Sequence, residues 1–183
     1  GEKKNKIAQI DIMQVCGYYF LTTTYGDVPY TEAGDDKNLF PKYDDAATVF
    51  ADLIKRLQAD VAALDASQSG ISGAQDLIYA GDIAKWKKFG NSLLLRLAMT
   101  IAKSDAATSK SVFEAANAGA FSSNDDNAQM KYLPQAINAN PLWVDLVQSG
   151  RQDMVAGKPL MDELKTLNDP RLPLYFRPNN DGV

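Results

Sequence analysis

The sequence predicts a mainly α fold, and three observations lead there. Apolar residues recur at steps of three and four in long stretches that open near residues 4, 44 and 82. No stretch of useful length alternates apolar and polar residues as a half-buried strand would. Polar segments rich in Gly, Pro, Ser and Asn lie between the periodic ones, as loops between helices should.

The first helix is expected from about Lys4 to Thr24. Ile7, Ile10, Met13, Gly17, Phe20 and Leu21 form its stripe, and Ile12, Val15 and Tyr19 widen it, so burial on more than one side is expected. β-branched Thr22, Thr23 and Thr24 weaken its end, and Tyr25-Gly26 supplies a stop. In "YGDVPYTEA", residues 25–33, Gly26 should end the helix, Asp27 bond local backbone amides and Pro29 prevent resumption. Pro29 and Pro41 bracket a polar loop.

The second helix shows one stripe of Ala46, Phe50, Leu53, Ile54, Leu57, Val61 and Leu64, with Asp44 and Asp45 at its positive N-terminal end. "DASQSGISGAQD" then reads as a Gly/Ser loop without evident structure. The third helix opens at Asp82, its expected N-cap, and runs to about Lys103. Trp86, Phe89, Leu93, Leu94, Leu97, Ala98 and Ile101 should face the core, with Lys87 and Lys88 solvated. Asn91 and Arg96 in this apolar helix are expected to bind a loop backbone or an acid. Ser111 and Glu114 have the spacing of a capping box for a short fourth helix ending at Gly119.

Beyond residue 120 the pattern loosens, which divides one domain, 1–183, into a helical part, 1–120, and a loop-rich part, 121–183. "SSNDDNAQ" is a polar loop and "MKYL" a brief extended piece. Asn140-Pro141 opens a short helix through Val147, and Lys158-Pro159 another through Leu167. "NDPRLPLYFRPNNDG" holds three prolines and is not expected to form regular helix. Helix-pair solenoids need two helices in about 34 residues, and no such regular array is legible. Helix pairs with long inserted loops stay open.

Composition removes whole classes of function. The 183 residues are 45% apolar, enough for the core of one domain. Lys and Arg total 19 against 23 Asp and Glu, for a net charge of −4, and no basic stripe exists to hold nucleic acid. With no histidine and a single cysteine, Cys16, there is no Ser-His-Asp or Cys-His catalysis and no imidazole- or thiolate-rich zinc site. The adjacent pairs Asp35-Asp36, Asp44-Asp45 and Asp125-Asp126 read as loop acids and helix N-terminal charges rather than a catalytic pair. "SNDDN" offers oxygens to a hard cation but lacks the twelve-residue spacing of an EF-hand. No catalytic residue, metal or cofactor is expected. "IAQIDIMQVCG" imitates a lipoprotein signal, yet Gln9, Asp11 and Gln14 interrupt its apolar run, so Cys16 reads as a small residue inside a helix. The most apolar run, "LLLRLAMTIA", is broken by Arg96 and is no membrane span.

The aromatics Tyr25, Tyr30, Tyr43, Tyr79, Tyr132, Trp143 and Tyr175 fall in or beside loops. A flat ring with a polar tip can stack on the apolar face of a sugar, and equally can close a helix end.

Four stretches in order, "YGDVPYTEA", "PKYDDAATVFADLIKRL", "DLIYAGDIAKWKKFGNSLLLRLAMTIA" and "NDPRLPLYFRP", resemble the SusD/RagB family. The likeness covers almost the whole chain. Gly90 departs from it, standing where the family usually has Ala, and glycine inside a helix costs ~1 kcal/mol. The resemblance implies a SusD-like α-α superhelix built on TPR-like antiparallel helix pairs, with a loop-rich second region. It implies a non-catalytic, lipid-anchored protein of the outer membrane's extracellular face. Such a protein binds glycans, or peptides in the RagB branch, and lids a SusC-like TonB-dependent transporter. The family's lipidated cysteine is not Cys16, and the chain is expected to be an internal fragment whose apolar faces are exposed or covered by another chain. The four motifs mark scaffold rather than ligand. The binding residues we expect are therefore Asn140 and Trp143 at the "NPLW" helix start, Arg151 as a hydroxyl or carboxylate partner, and Tyr30. The other readings open are a TPR-like protein-interaction scaffold and, furthest, a carboxylate-pair glycoside hydrolase.

Overall fold

The computed structural model describes residues 1–133, 138–151 and 155–176. Two compact units make up the chain, Gly1–Lys131 and Tyr132–Val183.

The first unit begins with α1, Glu2–Tyr25, which Gly26 ends by taking φ to 77° and donating its N–H back to the Thr22 carbonyl (3.0 Å). A two-residue antiparallel ladder follows, β1 (Val28–Pro29) against β2 (Tyr43–Asp44), with Val28 opposite Asp44 and Pro29 opposite Tyr43. So short a ladder lies below the reach of an alternation pattern, which is why no strand was expected. Asp45 caps α2, Ala46–Ala63, accepting from the amides of Ala47 and Thr48. Asp82 caps α3, Ile83–Ile101, through the Lys85 amide. Helix α4, Ala106–Ala116, is capped by Asp105 on the Thr108 amide, so Ser111 sits inside the helix and the expected capping box there does not form.

Helix α2 packs on both α1 and α3, and α3 on α4. Ile12 and Val15 of α1, Val49, Leu53 and Leu57 of α2, and Leu97 of α3 are fully enclosed in the resulting core. Trp86, Leu93 and Leu94 face it as their spacing requires. Lys88 stands outside the buried stripe, yet it is tied down: its ammonium bridges both oxygens of buried Asp126 (2.8 and 3.0 Å). That carboxylate also takes the Ser122 amide, and the contact with Lys88 holds it far below the usual carboxylate range. Asp126 is thus committed to structure, and "SNDDN" forms a capped 3-10 turn. Among the described residues no cluster of acids could hold a metal ion, and no helix is long and apolar enough to cross a membrane.

Two expectations fail on the polar residues. The first helix buries Asn5 and Gln9, while Ile7, Ile10, Met13, Phe20 and Leu21 lie exposed. Asn5 donates to the carbonyls of Asp65, Gln68 and Ser69 and accepts the Asp65 amide; Gln9 accepts the Ile71 amide (2.7 Å). The Gly/Ser loop between α2 and α3 is consequently ordered, stapled to α1 by two amide side chains. Its last residue, Asp76, accepts from the amides of Ile78, Tyr79 and Gly81 and from Trp86 Nε1 (2.7 Å). Burial opposes ionisation of Asp76, but the indole and the three amides outweigh it and lower its pKa. Asn91 back-bonds the Lys87 carbonyl of its own helix, and exposed Arg96 lies 5.7 Å from the centre of the Tyr19 ring, so neither finds the loop or acid expected.

In the second unit, α5 (Pro141–Trp143) continues as a π-helical turn through Gln148, followed by α6 (Lys158–Thr166) and α7 (Leu172–Tyr175). "MKYL" forms no strand. The proline-rich end does make one helical turn, because Pro173 falls in its first turn, where no intrahelical N–H is needed. Asp169 of the "DPRL" turn accepts from the Arg171 backbone and guanidinium, a local clasp that lowers its pKa to about 2. "PNNDG", 178–182, lies outside the described residues.

Candidate functional site

The loop after α1 is built by carboxylates reaching across sequence. Asp27 does not bond local amides; its Oδ1 accepts the Ala46 amide at the start of α2 (3.0 Å). Buried Asp44 accepts from the Tyr30 and Thr31 amides and the Thr31 hydroxyl, and the Thr31 amide is the main cause of its lowered pKa. The loop is thereby closed on itself and clamped to α2, which fixes Tyr30.

From there the Tyr30 hydroxyl donates to Asp52 Oδ2 (2.5 Å) and accepts from Arg56 Nη1 (2.7 Å). The Arg56 guanidinium also bonds Asp11 and Gln14 of α1. The Tyr18 ring meets Tyr30 edge-on, centroids 4.8 Å apart at 89°. Gln14, Tyr18, Tyr30, Thr31, Asp52 and Arg56 line an open cavity of about 450 Å³. Burial and the Asp52 carboxylate push the Tyr30 phenol up to about 12, so at neutral pH it stays a neutral donor. Two ring faces beside an amide, a carboxylate and a hydroxyl can hold a small hydroxylated ligand without any charge of its own.

The other three expected residues lie in the second unit. Asn140 Oδ1 accepts the Leu142 amide (2.9 Å), making it the N-cap of α5, with Pro141 in the first turn. Trp143 is 44% exposed, its ring open to solvent on that helix. Arg151 Nη1 bonds both Asp145 oxygens (3.0 and 3.1 Å). Asn140, Trp143 and Arg151 thus share one short segment, while Tyr30 belongs to the first unit.

Asp11, Gln14, Tyr18, Asp52 and Arg56 were not expected at a site. Their spacings held a signal: 11, 14 and 18 share one face of α1, and 52 and 56 one face of α2.

A second hollow runs along the exposed side of α1. Met13, Cys16 and Phe20 line it with Phe89 and Arg96 of α3, Phe121 and Met130, enclosing about 760 Å³. Cys16 is half-buried in α1, and burial pushes its thiol up, so it is an apolar helix residue.

Comparison with known proteins follows this architecture. The profile of the SusD-like family, described as starch-binding and associating with the outer membrane, matches residues 1–183. No curated protein matches the chain. Among solved structures the chain is similar to a chitin-binding protein, with 38% identity and a TM-score of 0.80 over 93% of this chain and 36% of that one. It is also similar to a chitin-binding SusD homolog from Flavobacterium johnsoniae, at 27% identity and TM-score 0.81, over 95% of this chain and 36% of that one. A SusD homolog from Bacteroides uniformis matches at 29% identity and TM-score 0.79, over 91% of this chain and 35% of that one. The chain therefore spans about a third of the length of these structures. Matched by the family profile throughout and by these helical frameworks over nearly all its length, the chain belongs to the SusD-like family.

Proposed function

We propose that the chain takes part in non-catalytic binding of glycans at the cell surface, for import through a SusC-like TonB-dependent transporter. The observation that carries this reading is the 38% identity with a chitin-binding protein across 93% of the chain. The full-length protein would then stand on the extracellular face of the outer membrane, held by a lipid anchor. Trp143 serves as a stacking platform, Arg151 and Asn140 contribute polar groups beside it, and Tyr30 belongs to the polar hollow of the first unit. A solvent-facing indole suits this role because every pyranose has an apolar face to lay on it.

Calorimetric titration with soluble β-1,4-linked N-acetylglucosamine oligomers tests the reading. Trp143→Ala should weaken binding by about ten-fold, which is about 1.4 kcal/mol, with an unchanged circular dichroism spectrum because the ring is exposed. Unchanged affinity would remove Trp143 from the site. If the wild-type chain bound no member of a glycan array, glycan binding would fall, and new reducing ends appearing with time would overturn the non-catalytic assignment.

The second reading, a contact surface for a partner protein, is favoured by the exposed apolar side of α1, where Ile7 and Ile10 are 56% and 61% exposed.

A further inference from the structure

The seam between α1 and α2 holds two acids where one positive charge is available. Asp60 is 8% exposed, and its Oδ2 is buried without a hydrogen-bond donor. Across the seam, the Asp11 carboxyl group of α1 is the acid that bears on it. Two ionised carboxylates cannot bond each other, since neither has a hydrogen to give. A proton on Asp60 supplies the missing donor and satisfies the orphan oxygen in one step.

Charge points the same way. Asp11 lies in the salt bridge with Arg56, one helical turn before Asp60 on α2. The groups that bear on Asp60 are Asp11 from α1 and Arg56 from its own helix. With Asp60 neutral, Asp11 and Arg56 balance. With Asp60 ionised, the seam carries an excess negative charge in a poorly solvated place. Arg56 also donates to the Tyr30 hydroxyl, so it connects this seam to the cavity beside the "YGDVPYTEA" loop.

We propose that Asp11 and Asp60 share a single proton, and that this proton keeps Arg56 on Tyr30, making the cavity beside the loop responsive to pH. When the proton leaves to solvent, both carboxylates compete for the guanidinium and its bond to Tyr30 loosens. Burial and Asp11 raise the Asp60 pKa to about 7, which sets the range in which to look. The sign follows from linkage. The native state keeps this proton up to about 7, whereas an unfolded aspartate releases it near 3.8. This contribution to stability therefore grows as pH falls from about 8 towards 4 and is lost as pH rises through 7. Asp11 has a lowered pKa, so its own contribution is lost only below the ordinary aspartate range.

Side-chain carboxyl-carbon NMR of the chain reads the proton directly. One aspartate should titrate near pH 7, and that step should vanish in Asp60→Asn. In Asp11→Asn it should fall towards the ordinary aspartate range, because Arg56 is then free for Asp60. The Tyr30 ring resonances should shift with the same midpoint. Asp60→Asn carries a permanent donor in place of the proton, so at pH 8 it should unfold at a higher urea concentration than wild type. Titration of every aspartate below pH 5 would overturn the shared proton. A Tyr30 ring indifferent to pH between 5 and 8 would overturn the link to the cavity.

Discussion

Helices α1 and α3 belong to one core and obey opposite rules. Helix α3 buries Ile83, Trp86, Leu93, Leu94, Leu97 and Ala98, and its apolar stripe is its packed face. Helix α1 buries Asn5, Gln9 and Thr22 along with Ala8, Ile12 and Val15, and turns Ile7, Ile10, Met13, Phe20 and Leu21 outward. The difference lies in what each helix packs against. The apolar stripe of α3 meets the neighbouring helices, whose backbone groups are already bonded. Helix α1 also meets the loop of residues 65–71, whose free amides and carbonyls must find partners once water is excluded. Asn5 and Gln9 supply them, so on that side a polar face is the stable one to bury.

The largest expected effect separates the enclosed positions of the two helices from the outward stripe. Leu97→Ala, at a fully buried site on α3, should cost about 3 kcal/mol in urea unfolding, and Ile12→Ala on α1 a similar amount. Ile10→Ala, on the more apolar-looking side of α1, should stay within about 0.5 kcal/mol. Should Ile10 and Ile12 prove equally costly, the orientation of α1 would be wrong.

Next in size is the polar face itself. Asn5→Leu keeps the branched shape and heavy-atom count and raises the hydrophobicity of a side chain that is 0% exposed. It nevertheless should destabilise by about 2 kcal/mol, because the Asp65 amide and the carbonyls of Asp65, Gln68 and Ser69 lose their partner together. Hydrogen exchange should show the amides of Asp65 and Ile71 opening first. A stabilised variant would mean that the loop's backbone is satisfied by water.

This contrast also explains what the sequence could reveal. The helices, the caps Asp82 and Asn140, and the buried stripe of α3 were legible because each depends on neighbours a few residues away. The inward face of α1 was not, since the partners of Asn5 lie 60 to 64 residues downstream. The same distance hid the network at Tyr30, where Arg56 bonds Asp11 from 45 residues away. Asp76 read as the end of a shapeless loop because three of its partners are backbone amides, which leave no trace in side-chain pattern, and the fourth, the Trp86 indole, lies ten residues on. The "DPRL" turn was legible as a motif, and its clasp between Asp169 and Arg171 is a scaffold role. Trp143 and Asn140 stood out because an aromatic directly behind an N-cap is a local pattern. What such a surface ring binds is not encoded locally.

A smaller effect sharpens the α2–α3 contact. A Cβ added to Gly90 would lie 2.5 Å from Val61 Cγ2, on a valine whose branched side chain has little room to rotate away. Helix propensity favours Gly90→Ala by about 1 kcal/mol, and overpacking opposes it by about 1–3 kcal/mol. The substitution should therefore destabilise by about 1 kcal/mol. In the Val61→Ala background, where the obstructing methyl is gone, the same change should stabilise. If Gly90→Ala stabilised the wild-type chain, the glycine would have no packing cause.

The smallest effect on folding tests the outward stripe of α1. Met13 and Phe20 of that stripe, with Phe121 and Met130, leave an apolar hollow of about 760 Å³ open to water. Polar replacement at an exposed position, Ile10→Ser, removes no packed contact and should change the unfolding free energy by less than about 0.5 kcal/mol. Association is the property it should move. This apolar face lies in a chain about a third as long as the matched structures. Exposed in the 183-residue chain, it should drive weak self-association that sedimentation velocity detects at high concentration. Ile10→Ser and Phe20→Ser should each shift that equilibrium towards monomer without altering the unfolding midpoint. A wild-type chain that stayed monomeric throughout would show that the stripe is tolerated in water, and would count against a docking role for it. An unfolding midpoint that fell together with the association would show instead that this side of α1 is packed, erasing the contrast with α3.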